Sequence, residues 1–377
     1  MVKELRVGVI GYGFMGMTRV YGYQTLRLYY RDLPFRVKLV GVCNPTLAKA
    51  ERAKEDFGFA YATDDWREIV NDPQIDIVNI CSPNIYHREQ VLAALGKGKH
   101  VFCDKPLAVS AAEAEEIAVA AQGKGLVCQV ALQNRFFPVT MRAKQILEEG
   151  RLGRILSFRA SYLHSGSVDP DKPIGWKQDQ RIGGGGVLFD LGSHVLDMVY
   201  YLLGEFEQLT AATQVLYPQR PDRNGRMVDI TADDAAYLLC RMRSGAMGTV
   251  EASKAATGVD DELRVELHGD RGALRFNLMD PNYLEFFDNR QPETPLGGYR
   301  GFTRIACLQR FDPPGGAFVP GKMSIGWMRS HVHCLYHFLD CVNRNAPASP
   351  SFAEGAYIQR VMEAGYASSK EGGWVRV

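Results

Sequence analysis

The sequence has no excess of charge of either sign. It carries 44 lysines and arginines against 43 aspartates and glutamates, which gives a net charge of +1. Residues 1–133 hold 16 basic and 15 acidic side chains, and the remaining residues hold 28 of each. Neither part forms a basic surface for nucleic acid or an anionic membrane, so we expect neither partner.

Long apolar runs and paired cysteine motifs are also missing. The first apolar segment, residues 5–10, spans six residues, whereas a membrane-spanning helix needs about 18 or more. We therefore expect no membrane helix and no signal peptide. The eight cysteines form no C-x-x-C pair, which is typical of buried free thiols in a reducing compartment and predicts a cytoplasmic protein.

The composition is that of an ordinary globular protein. Hydrophobic residues make up 46% and charged residues 23% of the 377 residues, which excludes a disordered or collagen-like chain. Internal repeats and low-complexity tracts are not evident. The length predicts two domains, each large enough to bury its own core.

The first third of the chain alternates short apolar segments with helix-like segments. The predicted strands lie at 5–10, 37–43, 75–81, 100–103 and 126–132, and the predicted helices lie at 46–57, 85–97 and 110–123. Near-continuous apolar strands of this kind indicate a parallel sheet covered on both faces. We predict a doubly wound α/β domain over 1–133, with ligands bound at the carboxyl edge of its sheet.

The pattern changes after residue 133. A helix at 138–149, a strand from 156 and an apolar helix at 187–203 are followed by alternating segments at 209–217, 235–242, 246–254, 262–268 and 273–277. Consecutive strands without regular helices predict a mostly antiparallel open sheet, so 134–377 is predicted to be an α+β domain. Residues 288–328 predict a long loop, either an oligomer arm or a lid. Helices are expected at 329–344 and 352–369, and the last is expected to pack back on the first domain.

A glycine-rich loop follows the first predicted strand and opens a helix-compatible segment. Gly11 allows a tight turn, Gly13 lets the backbone approach a pyrophosphate, and Gly16 lets the helix pack on the strand. The alternative is a glycine turn with no ligand. The predicted dinucleotide-binding residues of the loop are Gly11, Tyr12, Gly13, Phe14, Met15 and Gly16.

The residue that reads the adenosine ribose is expected after the second strand, where Asn44 precedes Pro45. An asparagine can hydrogen-bond a ribose hydroxyl, but it does not repel a 2′-phosphate as a carboxylate would. Lys49 and Arg52 are close in sequence. We therefore predict NAD as the cofactor with NADP also accepted; the alternative role of Asn44 is a turn former before proline.

Three further motifs accompany the glycine loop. They are Cys81-Ser82-Pro83-Asn84 with His87, then Asp104-Lys105-Pro106, and then Gly184-Gly185-Gly186 leading to Asp190 and His194. Together the motifs resemble those of the Gfo/Idh/MocA family, the glucose-fructose oxidoreductase and inositol dehydrogenase type. The resemblance spans the whole chain, through a Gly-Trp-Val near the C-terminus.

The resemblance implies a Rossmann domain, an open-sheet domain, and oxidation or reduction of a sugar or cyclitol hydroxyl with NAD or NADP. It also implies a homodimer or homotetramer. Lys105 matches the family's catalytic lysine, whereas Asp104 stands where the family has a longer glutamate. The resemblance assigns Asp190 to substrate positioning and His194 to the proton relay. The further cofactor-binding residues that it implies are Ser82, Pro83, Asn84, His87, Asp104 and Lys105.

The residue types and their spacing also support functional roles for Lys105 and for the pair Asp190 and His194. Lys105 follows an apolar strand at the carboxyl edge, where a partly desolvated lysine can transfer a proton or polarise an alcohol oxygen; the alternative is a surface lysine paired with Asp104. Asp190, His194 and Asp197 are spaced i, i+4, i+7 and are predicted to form one stripe on a buried helix. Such groups pair with each other or serve a site, and for Asp197 a structural hydrogen bond is the favoured reading.

Weaker candidates lie near the predicted cleft. Arg135 and Trp176 are predicted to bind substrate, by holding hydroxyls and by stacking on a sugar face; the alternatives are an interdomain salt bridge and an interface tryptophan. Tyr162 and His164 end a strand nearby and are equally compatible with substrate binding and with a structural role. Three histidines lie at 331, 333 and 337, but a zinc site needs further ligands, and we predict no metal.

The favoured function is a nicotinamide-dependent sugar or polyol dehydrogenase in which Lys105 and His194 take the alcohol proton. One alternative is a glycoside-cleaving enzyme that uses transient oxidation and elimination, and would release no net NADH. A second alternative is a nucleotide-binding sensor without chemistry, which predicts a broken catalytic set. The set Lys105, Asp190 and His194 is complete, so the sequence favours an enzyme.

Overall fold

The computed structural model describes residues 2–377 and divides into two compact units. Of the described residues, the first unit comprises 2–133, 311–319 and 327–359, and the second comprises 134–310, 320–326 and 360–377. The division between 133 and 134 coincides with the change in sequence pattern. Residues 327–359 lie in the first unit, although they were predicted to belong to the second domain, with only the last helix packing back on the first.

The first unit contains a six-stranded parallel sheet in the order β3-β2-β1-β4-β5-β6. The predicted doubly wound α/β fold is therefore confirmed, since this order is that of a Rossmann domain. The short strand β3 was not predicted. The strands are β1 (Lys3–Ile10), β2 (Phe35–Cys43), β3 (Tyr61–Thr63), β4 (Ile77–Ile80), β5 (His100–Cys103) and β6 (Cys128–Val130).

Helices connect these strands and cover the sheet. Those between the strands are α1 (Phe14–Tyr29), α2 (Leu47–Phe57), α3 (Trp66–Asn71), α4 (His87–Gly96) and α5 (Ala111–Ala121). Small and branched side chains from the strands and helices form a common core, which also includes Phe352 and Ala356 from the chain's last helix. Of the eight cysteines, seven are buried, Cys81 is half-buried and none forms a disulfide.

The second unit contains a nine-stranded sheet in the order β16-β15-β14-β13-β7-β12-β11-β8-β17. All its pairings are antiparallel except that of β12 with β7, which confirms the predicted mostly antiparallel sheet. Its strands are β7 (Ile155–Leu163), β8 (Phe206–Gln214), β11 (Ala235–Met242), β12 (Met247–Ser253), β13 (Glu262–Gly269), β14 (Gly272–Asn277), β15 (Tyr283–Asp288), β16 (Thr303–Ala306) and β17 (Val375–Arg376).

The remaining elements complete the chain. A separate two-stranded sheet pairs β9 (Gln219–Pro221) with β10 (Met227–Asp229). The other helices are α6 (Pro138–Glu148), α7 (Gln180–Gly183), α8 (Ser193–Leu203), α9 (Trp327–Arg344) and α10 (Phe352–Glu371). The predicted loop over 288–328 contains the edge strand β16 and a short 3₁₀ turn at Pro295–Gly297.

One helical segment of the described residues, Gln180–Leu203, is long and apolar enough by composition to cross a membrane. However, 78% of its most apolar window is buried inside the fold. The segment contacts β7 and β12 through α8, which is the placement of a core helix. Its burial confirms the predicted buried helix at 187–203.

Candidate functional site

The carboxyl edge of the first sheet brings the predicted cofactor residues together. Neighbouring loops are joined there by backbone hydrogen bonds, from the Gly11 amide to the Cys43 carbonyl (2.9 Å) and from the Cys81 amide to the Ile10 carbonyl (2.7 Å). The Asp104 amide donates to the Ile80 carbonyl at 2.9 Å. The loops after β1, β2, β4 and β5 therefore form one continuous edge, as expected for parallel strands.

The glycine loop fits the pyrophosphate of a dinucleotide. Gly11 has φ +90°, and a Cβ there would lie 2.6 Å from the Cys81 carbonyl. A Cβ on Gly16 would lie 2.2 Å from the Gly11 carbonyl oxygen, whereas one on Gly13 would meet no atom within 4 Å. The Gly13 backbone thus faces open space at the start of α1, where no side chain caps the helix, and amide groups of this kind bind phosphate.

The other loop residues frame this edge. Phe14 is 67% exposed, and Tyr12 and Met15 are half-buried. The Phe14 ring lies 5.8 Å from the Trp327 ring at the start of α9. These exposures leave the three side chains accessible to a ligand, and their role in cofactor binding stays a prediction.

Asn44 forms the turn that follows β2. Its Oδ1 accepts a hydrogen bond from the Thr46 amide at 2.9 Å, so the turn-forming role weighed for this residue is present. This hydrogen bond uses the amide oxygen alone, and the Nδ2 group remains a donor. The turn therefore leaves Asn44 with a donor for a ribose hydroxyl, and ribose recognition stays a prediction.

The loop after β4 is fixed by its own side chains. Ser82 Oγ donates to Gln90 Oε1 at 2.6 Å. The buried His87 ring lies between two carbonyls, with Nε2 2.9 Å from the Ser82 oxygen and Nδ1 3.0 Å from the Pro106 oxygen. Burial lowers the pKa of His87 below its ordinary value. His87 therefore joins this loop to the loop after β5, which contains Pro106. In the His87 loop, Pro83 is half-buried and Asn84 is buried.

A buried arginine contacts Asp104 of the Asp104-Lys105 motif. Asp104 is 9% exposed and Arg19 on α1 is 1% exposed; Arg19 Nη2 lies 3.5 Å from Asp104 Oδ1. Asp104 Oδ1 also accepts the Lys105 amide at 3.0 Å. Arg19 further contacts His331 Nδ1 at 2.9 Å. Asp104 is thus held as a paired carboxylate, and the Lys105 side chain is half-buried beside it.

In the second unit, the glycine run at 184–186 is fixed by a buried carboxylate. Asp233 accepts the amides of Gly186 and Leu188, each at 3.0 Å, and the hydroxyl of Tyr366. A Cβ on Gly186 would lie 2.2 Å from the Asp233 amide nitrogen, and one on Gly185 would lie 2.5 Å from the Tyr366 hydroxyl. The two glycines are therefore required by close packing. Burial raises the pKa of Asp233, and these hydrogen bonds oppose that shift.

The segment that carries Asp190 begins as a π-helix, Leu188–Gly192, and continues as α8. The expectation of one regular helical stripe is wrong at this turn, since the wider turn changes the register of the side chains. Asp190 contacts lysines, whereas Asp197 contacts Arg135. The two carboxylates therefore belong to different clusters.

Asp190 lies between two lysine ammonium groups. Lys177 Nζ is 2.7 Å from Oδ1, and Lys254 Nζ is 2.9 Å from Oδ2. The Lys177 side chain is 46% exposed and that of Lys254 is 9% exposed. One cation is thus held in the protein interior and the other reaches solvent. Both stabilise the anionic form of Asp190.

His194 and the end of β7 complete this cluster. His194 is 5% exposed, and its ring lies 5.8 Å from the Tyr162 ring in an edge-on arrangement. Burial and a hydrogen bond to Asp261 raise the pKa of Tyr162 well above its ordinary value. Burial, together with the Lys254 ammonium, lowers the pKa of His164. The second unit therefore gathers a carboxylate, an imidazole and two ammonium groups.

Arg135 is engaged by Asp197. Arg135 Nε lies 2.9 Å from Asp197 Oδ2, and the two residues are 3% and 1% exposed. The guanidinium also lies 5.0 Å from the centre of the Tyr201 ring. This buried ion pair is a structural interaction of the kind weighed for both residues. Contact of Arg135 with substrate stays a prediction.

Trp176 lies in the 3₁₀ turn that also carries Lys177. It is 37% exposed, and Lys177 Nζ lies 5.8 Å from its ring centre. The predicted aromatic residue thus neighbours the lysine that contacts Asp190. The three histidines of α9 have other contacts, among them the Tyr30 hydroxyl 2.6 Å from His333 Nδ1. Among residues 2–377 no cluster of three metal-ligating side chains is found.

Sequence reasoning missed Lys177, Lys254 and Asp233. Lys254 carries a usable signal, since it is the first residue after β12 and Lys105 is the second residue after β5. Asp233 is identifiable only through the glycines that it contacts. Lys177 lies in an irregular segment, and nothing in its local sequence distinguishes it from a solvated lysine.

Two family models match the chain. Residues 5–132 match the oxidoreductase family's NAD-binding Rossmann fold, and residues 144–377 match the oxidoreductase family's C-terminal alpha/beta domain, both under the designation GFO_IDH_MocA.

Curated relatives align with most or all of the chain. Levoglucosan dehydrogenase of Pseudarthrobacter phenanthrenivorans is 34% identical over 395 aligned positions, which cover 100% of this chain and 99% of the relative. Myo-inositol 2-dehydrogenase of Thermotoga maritima is 26% identical over 336 positions, which cover 85% of this chain and 93% of the relative.

Solved structures show the same likeness. A levoglucosan dehydrogenase in complex with NADH and levoglucosan superposes with a TM-score of 0.95 at 33% identity, covering 100% of this chain and 99% of that chain. An NAD binding oxidoreductase from Klebsiella pneumoniae gives a TM-score of 0.93 at 34% identity, with 99% of each chain covered.

Proposed function

The chain belongs to the Gfo/Idh/MocA oxidoreductase family, and on this premise we propose that it oxidises a ring hydroxyl of a neutral sugar or anhydrosugar with NAD. The family's members act as NAD-dependent sugar and cyclitol dehydrogenases. The full-length likeness to a levoglucosan dehydrogenase makes levoglucosan the first substrate to test.

The observation that carries this proposal is the position of Asp190. Two lysines hold its carboxylate. Asp190 lies on the same helical segment as His194. A fixed carboxylate accepts a hydrogen bond from a sugar hydroxyl, and a nearby imidazole can take a proton from another. Both groups are largely buried, so their interactions with a ligand are only weakly screened by water.

Alcohol oxidation removes a proton from the hydroxyl oxygen and a hydride from the carbon that bears it. When NAD is bound, its nicotinamide ring accepts the hydride. We propose that His194 receives the proton, and that the Lys105 ammonium donates a hydrogen bond that stabilises the developing negative charge on the oxygen. Asp104, paired with Arg19, orients the Lys105 backbone.

The residues of the first unit place the cofactor. We propose that the amides of the glycine loop bind the pyrophosphate and that Asn44 contacts the adenosine ribose. Ser82, Pro83, Asn84 and His87 would line the same edge of the sheet, where their loop is already joined to the loop of Lys105.

The experiment is a dehydrogenase screen with the purified full chain. Levoglucosan, other anhydrosugars, aldoses, glucosides and cyclitols are each supplied with NAD or NADP, and NADH or NADPH is followed by absorbance. We expect NADH formation in proportion to the sugar oxidised. Turnover of a glycoside without net NADH would replace the proposal by the glycoside-cleaving alternative, and cofactor binding without turnover of any substrate would replace it by the sensor.

A further inference from the structure

We propose that Lys254 is a substrate-binding residue, and that Lys254 and Asp190 together read two adjacent hydroxyls of the sugar ring. The inference rests on the proposed function and goes beyond it by naming the group that the site recognises, a neutral vicinal diol. It begins from the position of Lys254, one residue after the end of β12.

Lys254 is a buried lysine in an unusual position. The residue is 7% exposed, and burying an ammonium group costs free energy unless it is paired and hydrogen-bonded. Its Nζ lies 2.9 Å from Asp190 Oδ2. An ammonium has three N–H donors, so this one ion pair leaves at least one donor for a further acceptor. A ligand oxygen bound beside Asp190 would accept it.

The surroundings of Lys254 are polar but not strongly charged overall. Lys177 contacts the other oxygen of Asp190. Asp261 is close enough to influence the pKa values of Tyr162 and His164, and Lys254, Asp190 and Lys177 also influence that of His164. The region thus holds two ammonium groups and two carboxylates. This balance fits an uncharged polyol better than a phosphorylated or carboxylated sugar, either of which would need an excess of positive charge.

A donor and an acceptor side by side match a vicinal diol. Each sugar hydroxyl can donate one hydrogen bond and accept others. The Lys254 ammonium would donate to one hydroxyl oxygen, while Asp190 would accept from the neighbouring hydroxyl. A ligand that lacks the first hydroxyl would leave one N–H donor of the buried ammonium without an acceptor, and sites of this kind reject such analogues strongly.

Lys177 and Lys254 are not equivalent in this arrangement. Lys177 lies on a short 3₁₀ turn with 46% of its side chain exposed, so its ammonium can be solvated by water when a ligand approaches Oδ1. Lys254 lies at the end of a central strand of the nine-stranded sheet and is held in place. Lys254 therefore supplies the hydrogen-bond donor whose position is fixed by the fold.

The test compares Lys254→Met, which keeps length without charge, with Lys254→Arg, which keeps charge but moves the donors. Lys144→Met is the matched control, since Lys144 is a lysine of the same unit that forms an ion pair with Glu148 at 3.6 Å. Each protein is assayed with the best sugar from the screen and with its deoxy analogues, each lacking one hydroxyl. Binding of the same sugars to the NADH complex is measured by calorimetry.

We expect the wild type and Lys144→Met to discriminate against two adjacent deoxy positions by about 100-fold or more in kcat/KM. Lys254→Met should lose at least tenfold in sugar affinity and nearly all discrimination at one of the two positions. Its affinity for NADH should stay unchanged, and Lys254→Arg should recover part of the loss.

Lys254→Met with wild-type discrimination at every position would overturn the inference while leaving the proposed function intact. If Lys254→Met does not fold, Lys254→Gln, which also lacks the charge, takes its place, and unchanged discrimination in that variant has the same meaning. Tighter binding of a carboxylated or phosphorylated sugar than of the neutral diol would also overturn it. A wild type that neither oxidises nor binds any neutral sugar would overturn the proposed function instead.

Discussion

Gly13 and Gly16 occupy the same loop but meet different surroundings. At Gly13, φ is −98° and an added Cβ has no neighbour within 4 Å. Gly13→Val should therefore fold, while its side chain fills the space that the cofactor's phosphates need. We expect the affinity for NADH to fall at least tenfold, or about 1.4 kcal/mol. Fluorescence titration measures the affinity, and an unchanged value would remove the cofactor assignment from this loop.

Gly16→Ala serves as the contrasting variant. Its Cβ would lie 2.2 Å from the Gly11 carbonyl oxygen, and overpacking of this kind costs about 1–3 kcal/mol of stability. Thermal unfolding should show a lower melting temperature for Gly16→Ala and a near-normal one for Gly13→Val.

Asn44 sets the expected cofactor preference. Asn44→Asp keeps the oxygen that accepts the Thr46 amide and adds a negative charge, which repels a 2′-phosphate. The ratio of kcat/KM for NAD over NADP should rise in the variant. A wild type that already prefers NAD by about a thousandfold, or about 4.1 kcal/mol, or a ratio that does not change, would show that another residue reads the ribose.

Several side chains could be proposed as site residues from sequence because their chemistry and position both carry information. Lys105, Asp190 and His194 follow from motif and residue type. The partners of these side chains could not be predicted in the same way. Lys177 and Lys254 approach Asp190 from segments 13 and 64 residues away, and the pairing of Arg135 with Asp197 is likewise a contact between distant segments.

At the scale of elements, Asp233 holds the backbone that leads into the π-helical turn. Its carboxylate accepts the amides of Gly186 and Leu188 and the hydroxyl of Tyr366. Asp233→Asn replaces one acceptor oxygen by an NH₂ group that faces these donors. We expect a loss of about 1–3 kcal/mol in stability and a raised KM for the sugar, since Asp190 lies on the turn.

Tyr366→Phe is the milder comparison, because it removes a donor to Asp233 and a second acceptor of the Gly186 amide but leaves both amides bound to Asp233. Melting temperature and KM are measured for both variants. A normal KM in Asp233→Asn, despite a lower melting temperature, would limit Asp233 to a purely structural role.

The strands and long helices could be predicted because their apolar periodicity is regular over many residues. The predicted 235–242 strand is observed over Ala235–Met242, and the predicted 138–149 helix over Pro138–Glu148. The missed elements have six residues or fewer. β3, β9 and β10 have three residues each, too few for alternation to be distinguished from loop, and α3 and β15 have six each. The π-helical turn at Leu188–Gly192 was missed because nothing in the local sequence distinguishes it from a regular helix.

At the scale of the whole molecule, buried histidines should make the protein sensitive to acid. Burial lowers the pKa of His87, His100, His164, His333 and His337. In the unfolded chain each histidine titrates near 6.5. As pH falls below about 6.5, the unfolded state binds protons that the folded state does not, so stability decreases.

His87 offers the cleanest single test, since it is 0% exposed. One such histidine can contribute up to about 1.4 kcal/mol per pH unit. The melting temperature should fall between about pH 7.5 and 5.5, and it should fall less in His87→Gln than in the wild type. An equal fall in both proteins would show that His87 does not take part.

The parallel sheet and the open sheet could be predicted from period and order. For the last helix, packing on the first domain was also expected, and Phe352 and Ala356 of α10 lie in the core of the first unit. The inclusion of α9 in that unit could not be predicted, because its sequence carries no signal of which core it joins.

We propose that Lys105 and His194 act in one chemical step, in which His194 takes the hydroxyl proton and Lys105 stabilises the oxygen. The test is kcat for sugar oxidation in Lys105→Ala, His194→Ala and the double variant, with NADH affinity measured in each. Each single variant should lose about 10²–10⁴-fold in kcat while NADH affinity remains within a few fold of the wild type. The double variant should be little slower than the slower single variant, because residues that serve one step are not additive. Near-normal turnover in both single variants, or losses that multiply fully in the double variant, would contradict the claim.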